Sequence, residues 1–168
     1  FVDDRYFIAM DWIEGTDLEA LLEHEGRPGF DPAPVVGYLE QAAEALEHLH
    51  THVPPVVHGD VKPANLILTS SGRIVLVDFG LSSTPTDDLR RAGTAGYMAP
   101  EVAAGARPTA TSDVYSFAAT ALALLTGEPS SGGPPSWGAI ERERIAALER
   151  ILRPNLATDP GRRDPSPA

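Results

Sequence analysis

Apolar residues recur at spacings of three and four from Val35 to about Val53, at Val36, Leu39, Ala42, Ala43, Leu46, Leu49 and Val53. That period predicts a helix with one face in a core. A second run, Val114, Phe117, Ala118, Ala121, Leu122 and Leu125, predicts a helix with a wide apolar face, which Ser112 can cap and Gly127 and Pro129 stop. A third runs from Ile140 to Leu152 through Ile145, Leu148 and Ile151, and Pro154 should end it. A short helix, Leu18 to Glu25, aligns Leu18, Leu21 and Leu22 behind an Asp17 cap. Elsewhere the period shortens. Leu66 to Leu68 and Ile74 to Val77 are β-rich runs on either side of Thr69-Ser70-Ser71-Gly72-Arg73, a turn composition, and should pair as a hairpin. Tyr6 to Met10 reads as a strand feeding an extended connector through Trp12, Ile13 and Gly15. The Gly- and Pro-rich stretches Gly26 to Pro34 and Pro129 to Gly138 break the chain, the second as a surface loop. The order is one strand, two helices, a hairpin, a long polar connection and two more helices, without internal repeats.

Composition narrows what such a chain can do. Its 168 residues, 42% of them apolar, suffice for one core, and a domain of this size buries roughly 70% of its extended surface. The net charge of -11 lies outside the magnitude of about 2 to 8 usual for small domains, and it repels nucleic acids and anionic membranes. ATP is not excluded, because a lysine and a divalent cation can neutralise its phosphates. The absence of cysteine removes disulfides, zinc-thiolate sites and cysteine nucleophiles. No stretch of 18 apolar residues and no signal peptide is present. A cytoplasmic setting without membrane insertion of this segment is expected, which also suits a domain of a membrane-anchored protein. The chain starts without Met, inside an apolar run, and ends Pro-rich, so it is expected to be part of a longer one.

The candidate chemistry lies in His58-Gly59-Asp60-Val61-Lys62-Pro63-Ala64-Asn65 and in Asp78-Phe79-Gly80 after the hairpin. Asp60 offers a carboxylate to take a hydroxyl proton, Lys62 an ammonium for phosphate, and Asn65 an amide oxygen for a metal. The hairpin should bring Asp78, at a strand end, close to Asn65, making the two plausible ligands of shared Mg²⁺. Taken singly, Asp60 and Asn65 could equally be turn caps.

The combination His58-x-Asp60-x-Lys62-x-x-Asn65, Asp78-Phe79-Gly80 and Ala99-Pro100-Glu101 resembles the protein-kinase signature set in order and spacing. Met10-Asp11-Trp12-Ile13-Glu14-Gly15-x-x-Leu18 is similar to a kinase fifth strand and hinge, Asp113-Val114-Tyr115-Ser116-Phe117 to the start of the central helix, and Asp159-Pro160-x-x-Arg163 to the turn of the late arginine. The resemblance implies an α+β, protein-kinase-like fold: a mainly helical large lobe over 17–168 with a short hairpin, and a remnant small-lobe strand with hinge over 1–16. It implies transfer of the γ-phosphoryl group of ATP, with Mg²⁺ or Mn²⁺, to Ser or Thr hydroxyls of a protein substrate. By the same resemblance, Lys62 looks like the Ser/Thr branch. Asp60 would be the base, Lys62 would steady the transferred group, and Asn65 and Asp78 would hold the metal. Thr94 would hydrogen-bond Asp60 and Lys62, Asp113 would accept amide hydrogens from the catalytic loop, and Glu101 would pair with Arg163. Met10, which could equally be ordinary core, would guard the adenine pocket, with Asp11, Trp12 and Ile13 as its hydrogen-bonding edge, Ile67 as its floor and Asp17 near the ribose. His58 and Phe79 would stack in an apolar column between lobes.

The departures carry expectations of their own. Gly59 stands where most members have an arginine that answers an activation-segment phosphate. Control through Ser82, Ser83, Thr84 or Thr86 should be weak, with Arg90 or Arg91 as alternative receptors. Ala118 replaces the usual central-helix glycine, and the region after Gly127 is shorter than usual. No Gly-x-Gly-x-x-Gly loop, third-strand lysine or small-lobe glutamate is present, so the isolated chain should be inactive. Met10, Leu18, Ile67 and Phe79 should form an apolar top face for the small lobe or another chain. The alternative reading is a pseudokinase or lone lobe that binds partners.

Overall fold

A computed structural model of the chain describes residues 11–25, 29–78, 94–128 and 142–164. The elements are β1 (Gly15–Asp17), α1 (Leu18–Glu25), α2 (Pro32–Thr51), a 3-10 turn (Pro63–Asn65), β2 (Leu66–Thr69), β3 (Ile74–Leu76), α3 (Pro100–Ala103), α4 (Ala110–Thr126), α5 (Arg142–Asn155) and a final 3-10 turn (Pro160–Arg162). The expected strand Tyr6 to Met10 and the surface loop Pro129 to Gly138 lie outside the described residues.

The centre is α4, buried on every side from Ser112 to Thr126. Helices apolar all round belong in such positions. Two of its hydroxyls bond within the helix: Ser116 Oγ donates to Ser112 O, and Thr126 Oγ1 to Leu122 O. The cap is Thr109 rather than Ser112. Thr109 Oγ1 accepts from Ser112 N while Ser112 Oγ accepts from Thr109 N, a reciprocal capping box that starts the helix earlier than the apolar period alone suggests. At the other end Gly127 adopts φ 75°, a left-handed C-cap open to glycine at no steric cost.

α2 packs against α4 and β3, and α5 against α4. Its buried stripe is Val35, Leu39, Ala42, Ala43 and Leu46. The helix begins at Pro32, and the spacing 35, 39, 42, 43, 46 puts Val35, not the expected Val36, on the inner face. Val53 is 88% exposed, because the helix stops where His52 turns extended at φ -62°, ψ 156°. In α5 Pro154 sits inside the last turn instead of ending the helix before it. Leu152 is buried there, whereas Ile151 faces solvent. Leu46 of α2 and Leu124 of α4 are fully buried in one core cluster, and truncating a leucine so placed to alanine costs about 2 to 5 kcal/mol.

The sheet has three antiparallel strands in the order β1-β2-β3. The hairpin forms as expected, and β1 adds a third strand where an extended connector was anticipated. Gly15 lets it approach: a Cβ there would lie 2.5 Å from Leu68 O. Asp17 leaves the strand paired with Ile67 and caps α1, its Oδ1 accepting from Ala20 N at 2.8 Å. Leu18 is then fully buried within the core, so it belongs to no apolar top face, contrary to expectation. Met10 and Phe79 lie outside the described residues.

Candidate active site

The loop carrying Asp60 is pinned from below by α4. His58 N and Gly59 N each donate at 2.8 Å to the two oxygens of Asp113, which is 1% exposed. Thr120 Oγ1 donates to Val61 O at 3.3 Å. Gly59 has φ 81°, a left-handed conformation that costs a residue with a Cβ about 1 to 2 kcal/mol.

The ring of His58, wholly buried, joins this loop to the hairpin. Its Nδ1 accepts from Asp60 N at 3.2 Å, which leaves the ring proton on Nε2, and Nε2 donates to Val77 O at 3.0 Å. Asp60 and the residue before Asp78 therefore share one imidazole. On the other side the hairpin closes the same distance through its backbone, Val77 N donating to Asn65 O at 3.0 Å. The 3-10 turn that presents Asn65 starts at Pro63, after extended Lys62, as a proline at the first helical position favours.

Three side chains meet above this base. Lys62 Nζ lies 2.8 Å from Asp60 Oδ2, and it donates to Thr94 Oγ1 at 2.7 Å. Thr94 in turn donates to Asp60 Oδ1 at 3.0 Å. Asn65 Nδ2 donates to Asp60 O at 2.7 Å and reaches Asp60 Oδ2 at 3.3 Å. Its amide nitrogen is thus committed to Asp60, and its Oδ1 is left as the oxygen for a cation. Asp78 is exposed at the strand end, at φ 63°, the only residue other than glycine with positive φ among the described residues. Strain of this kind persists where the surroundings hold it.

Beside Asp78 opens a cleft of about 450 Å³ lined by Asp11, Trp12, Ile13, Gly15, Asp17, Ala64, Ile67, Val77 and Asp78. It joins five of the six residues expected around a nucleotide to one carboxylate expected to hold its metal; the sixth, Met10, lies outside the described residues. Trp12 is 92% exposed. Asp60, Lys62 and Thr94 are not among the residues that line this cleft.

A buried ion pair fixes the segment after Thr94. Arg163, its side chain fully enclosed, donates from Nη1 to Glu101 Oε1 at 2.6 Å and from Nη2 to Oε2 at 2.9 Å. The guanidinium also lies 4.8 Å from the Tyr115 ring centre, a favourable cation–π distance. Around it Tyr97, Ala99, Val102, Tyr115, Ala119 and Ala123 form a second apolar cluster. Burial, aided by the Glu19 carboxylate, pushes the Tyr97 phenol up to about 12.

Sequence reasoning missed several supporting residues. His50 Nε2 lies 2.9 Å from Asp113 Oδ2; only its place at the end of an amphipathic helix was legible. Gln41 Oε1 accepts from Ile74 N at 2.9 Å and so ties α2 to the hairpin, a contact across 33 positions that no local pattern announces. Thr120, on the buried helix, read only as a polar interruption.

The protein kinase domain family matches residues 2–160. Over 99% of its length the chain is 36% identical to the serine/threonine-protein kinase PknD of Mycobacterium tuberculosis, of which it spans 22%. It is 35% identical to PknA of Corynebacterium glutamicum over 95% of its length, spanning 36% of that protein. A solved kinase domain of M. tuberculosis PknI, a double mutant, superposes with a TM-score of 0.75 at 33% identity, covering 94% of this chain and 60% of the PknI chain. With its α+β architecture and the match along nearly all its length, the chain belongs to the protein kinase family.

Proposed function

We propose that this chain carries the catalytic loop and metal-binding strand of a kinase that transfers the γ-phosphoryl group of ATP to Ser or Thr hydroxyls of proteins. The observation that carries the reading is the contact set of Asp60, Lys62 and Thr94, joined through His58 and the hairpin backbone to Asn65 and Asp78. Similarity to bacterial serine/threonine kinases supports the same chemistry.

In this reading Asp60 receives the proton of the substrate hydroxyl as its oxygen bonds to the γ-phosphorus, and the bond to the β–γ bridging oxygen breaks to release ADP. Lys62 lies on the same carboxylate and balances charge on the moving phosphoryl group. Thr94 holds both in register, so the proton acceptor and the cation keep a fixed separation. Mg²⁺, or Mn²⁺ in its place, would be held by Asn65 Oδ1 and the Asp78 carboxylate and would neutralise the phosphate oxygens. The donor set fits a hard cation: one carboxylate and one amide oxygen, with phosphate and water supplying the rest. Among the described residues no three His, Asp or Glu side chains converge into a denser cage.

We read residues 1–16 as a small-lobe strand and hinge and 17–168 as the large lobe. The chain spans 60% of the solved PknI domain, and a phosphate-covering small lobe would complete the cleft over Trp12 and the half-buried Ile67. No helix among the described residues is long and apolar enough to cross a membrane. We further read the substrate as protein, a cytoplasmic setting, and no nucleic-acid partner.

The test is incubation of the full-length protein with γ-labelled ATP, Mg²⁺ and a generic protein substrate, followed by phosphoamino-acid analysis. Label on serine or threonine is the expected result. Nucleotide binding without transfer would replace the reading with a binding module.

A further inference from the structure

His50 closes α2 with its side chain only 9% exposed. Its Nε2 lies 2.9 Å from Asp113 Oδ2, while its Nδ1 is buried without a hydrogen-bond partner. The two nitrogens therefore differ in role. A proton on Nε2 meets an acceptor, whereas a proton on Nδ1 would be an orphaned buried donor, a rare and costly state. His50 is thus a donor to Asp113.

Asp113 accepts three hydrogen bonds. Oδ1 takes Gly59 N, and Oδ2 takes both His58 N and His50 Nε2. The two amides belong to the residues immediately before Asp60, and His50 supplies the one side-chain donor in the set. Without it the carboxylate, 1% exposed, would keep a buried charge with too few donors, and it would turn to find another. The amides of His58 and Gly59 would move with it. Displacing a catalytic group by about 1 Å can cost about a hundred-fold in rate.

We propose that His50 is a positioning residue for phosphoryl transfer: by donating from Nε2 to Asp113 it fixes the rotamer from which Asp113 holds the His58 and Gly59 amides, and so places Asp60. The proposal rests on the reading of Asp60 as the base. His50 acts only through Asp113, so its removal should lower kcat and leave the nucleotide cleft intact.

The experiment compares His50→Gln, His50→Asn and His50→Leu in the full-length protein, by steady-state kinetics and by hydrogen exchange of the His58 and Gly59 amides. Gln places an N–H near the position of Nε2, whereas Asn stops short at the position of Nδ1. The expected result is a kcat lowered about ten-fold or more in Asn and Leu, KM for ATP within about three-fold, and Gln restored to within about three-fold of the parent. Exchange at the two amides should quicken in Asn and Leu and not in Gln. Should Leu fail to fold, the Gln and Asn pair still decides. The proposal is overturned if Asn keeps the parental kcat and exchange, if Gln fails to rescue, or if exchange rises uniformly along the chain. If the parent itself transfers no phosphate, the kinase reading fails, and the exchange arm alone decides whether His50 holds the loop.

Discussion

Lys62 and Asp60 are held in one geometry by a third residue, since Thr94 Oγ1 receives a hydrogen from Lys62 Nζ at 2.7 Å and gives its own to Asp60 Oδ1 at 3.0 Å. A hydroxyl alone can do both. Thr94→Val keeps the shape and removes donor and acceptor together, so kcat should fall about ten- to a hundred-fold, while Thr94→Ser should stay within about five-fold. Equal losses in both variants, measured by steady-state transfer, would point to the methyl group and against the hydrogen bonds.

The Glu101–Arg163 pair tests the scaffold. Because the Arg163 side chain is fully enclosed, Glu101→Ala strands a buried guanidinium and should destabilise the fold by about 3 to 5 kcal/mol. The double variant Glu101→Leu with Arg163→Met should recover much of that loss, since no charge remains to be solvated. Urea unfolding of the two variants against the parent checks it; a double variant no more stable than Glu101→Ala would contradict it.

Alkali should loosen the segment after Thr94. The Tyr97 phenol, raised to about 12 by burial and by Glu19, holds its proton in the fold at pH values where an unfolded tyrosine, near 10, has lost it. The unfolded state then binds fewer protons, and stability must fall as pH rises from 10 towards 12. Below pH 10 this contribution is complete. Tyr97→Phe should flatten that part of the stability curve, and an unchanged slope in thermal melts between pH 10 and 12 would remove Tyr97 from the account.

Gly59 links backbone to regulation. At φ 81° it supplies no guanidinium to answer a phosphate on Ser82, Ser83, Thr84 or Thr86, which lie outside the described residues. Phosphatase-treated full-length protein should retain activity within about three-fold of the phosphorylated form, because Gly59 offers no bidentate partner for a phosphate beside Asp60. A fall of about a hundred-fold, roughly 2.7 kcal/mol in the barrier, would show that Arg90, Arg91 or another cation receives the phosphate.

What the sequence disclosed depended on the range of each interaction. The hairpin, the Asp17 cap and α2 were legible because their causes are local, in alternation, capping and the three–four period. The placement of Val35 over Val36, the capping box at Thr109 and the Pro154 turn lay within a residue or a turn of the expected positions, where end effects outweigh periodicity. The pairing of β1 was hidden because Gly15 reveals its reason only against Leu68 O. Asp113, Thr94 and the Glu101–Arg163 pair were named through resemblance, not from spacing, since each spans more than 30 positions. His50 and Gln41 had no such guide.

The central claim is that Asp60 and Asp78 do different work in one site. In the full-length protein, Asp78→Ala should abolish measurable transfer and weaken Mg-ATP binding, because it removes the charged oxygen that would hold the metal against the phosphates. Asp60→Ala should lower kcat by about a hundred-fold or more and leave nucleotide affinity within about three-fold, since its contact is with the incoming hydroxyl. Titration of Mg-ATP against both variants, alongside single-turnover transfer, is the most direct measurement. A large loss of transfer in each with weakened binding confined to Asp78→Ala is the predicted result; full transfer in Asp78→Ala, or equal losses of binding in both, would contradict it.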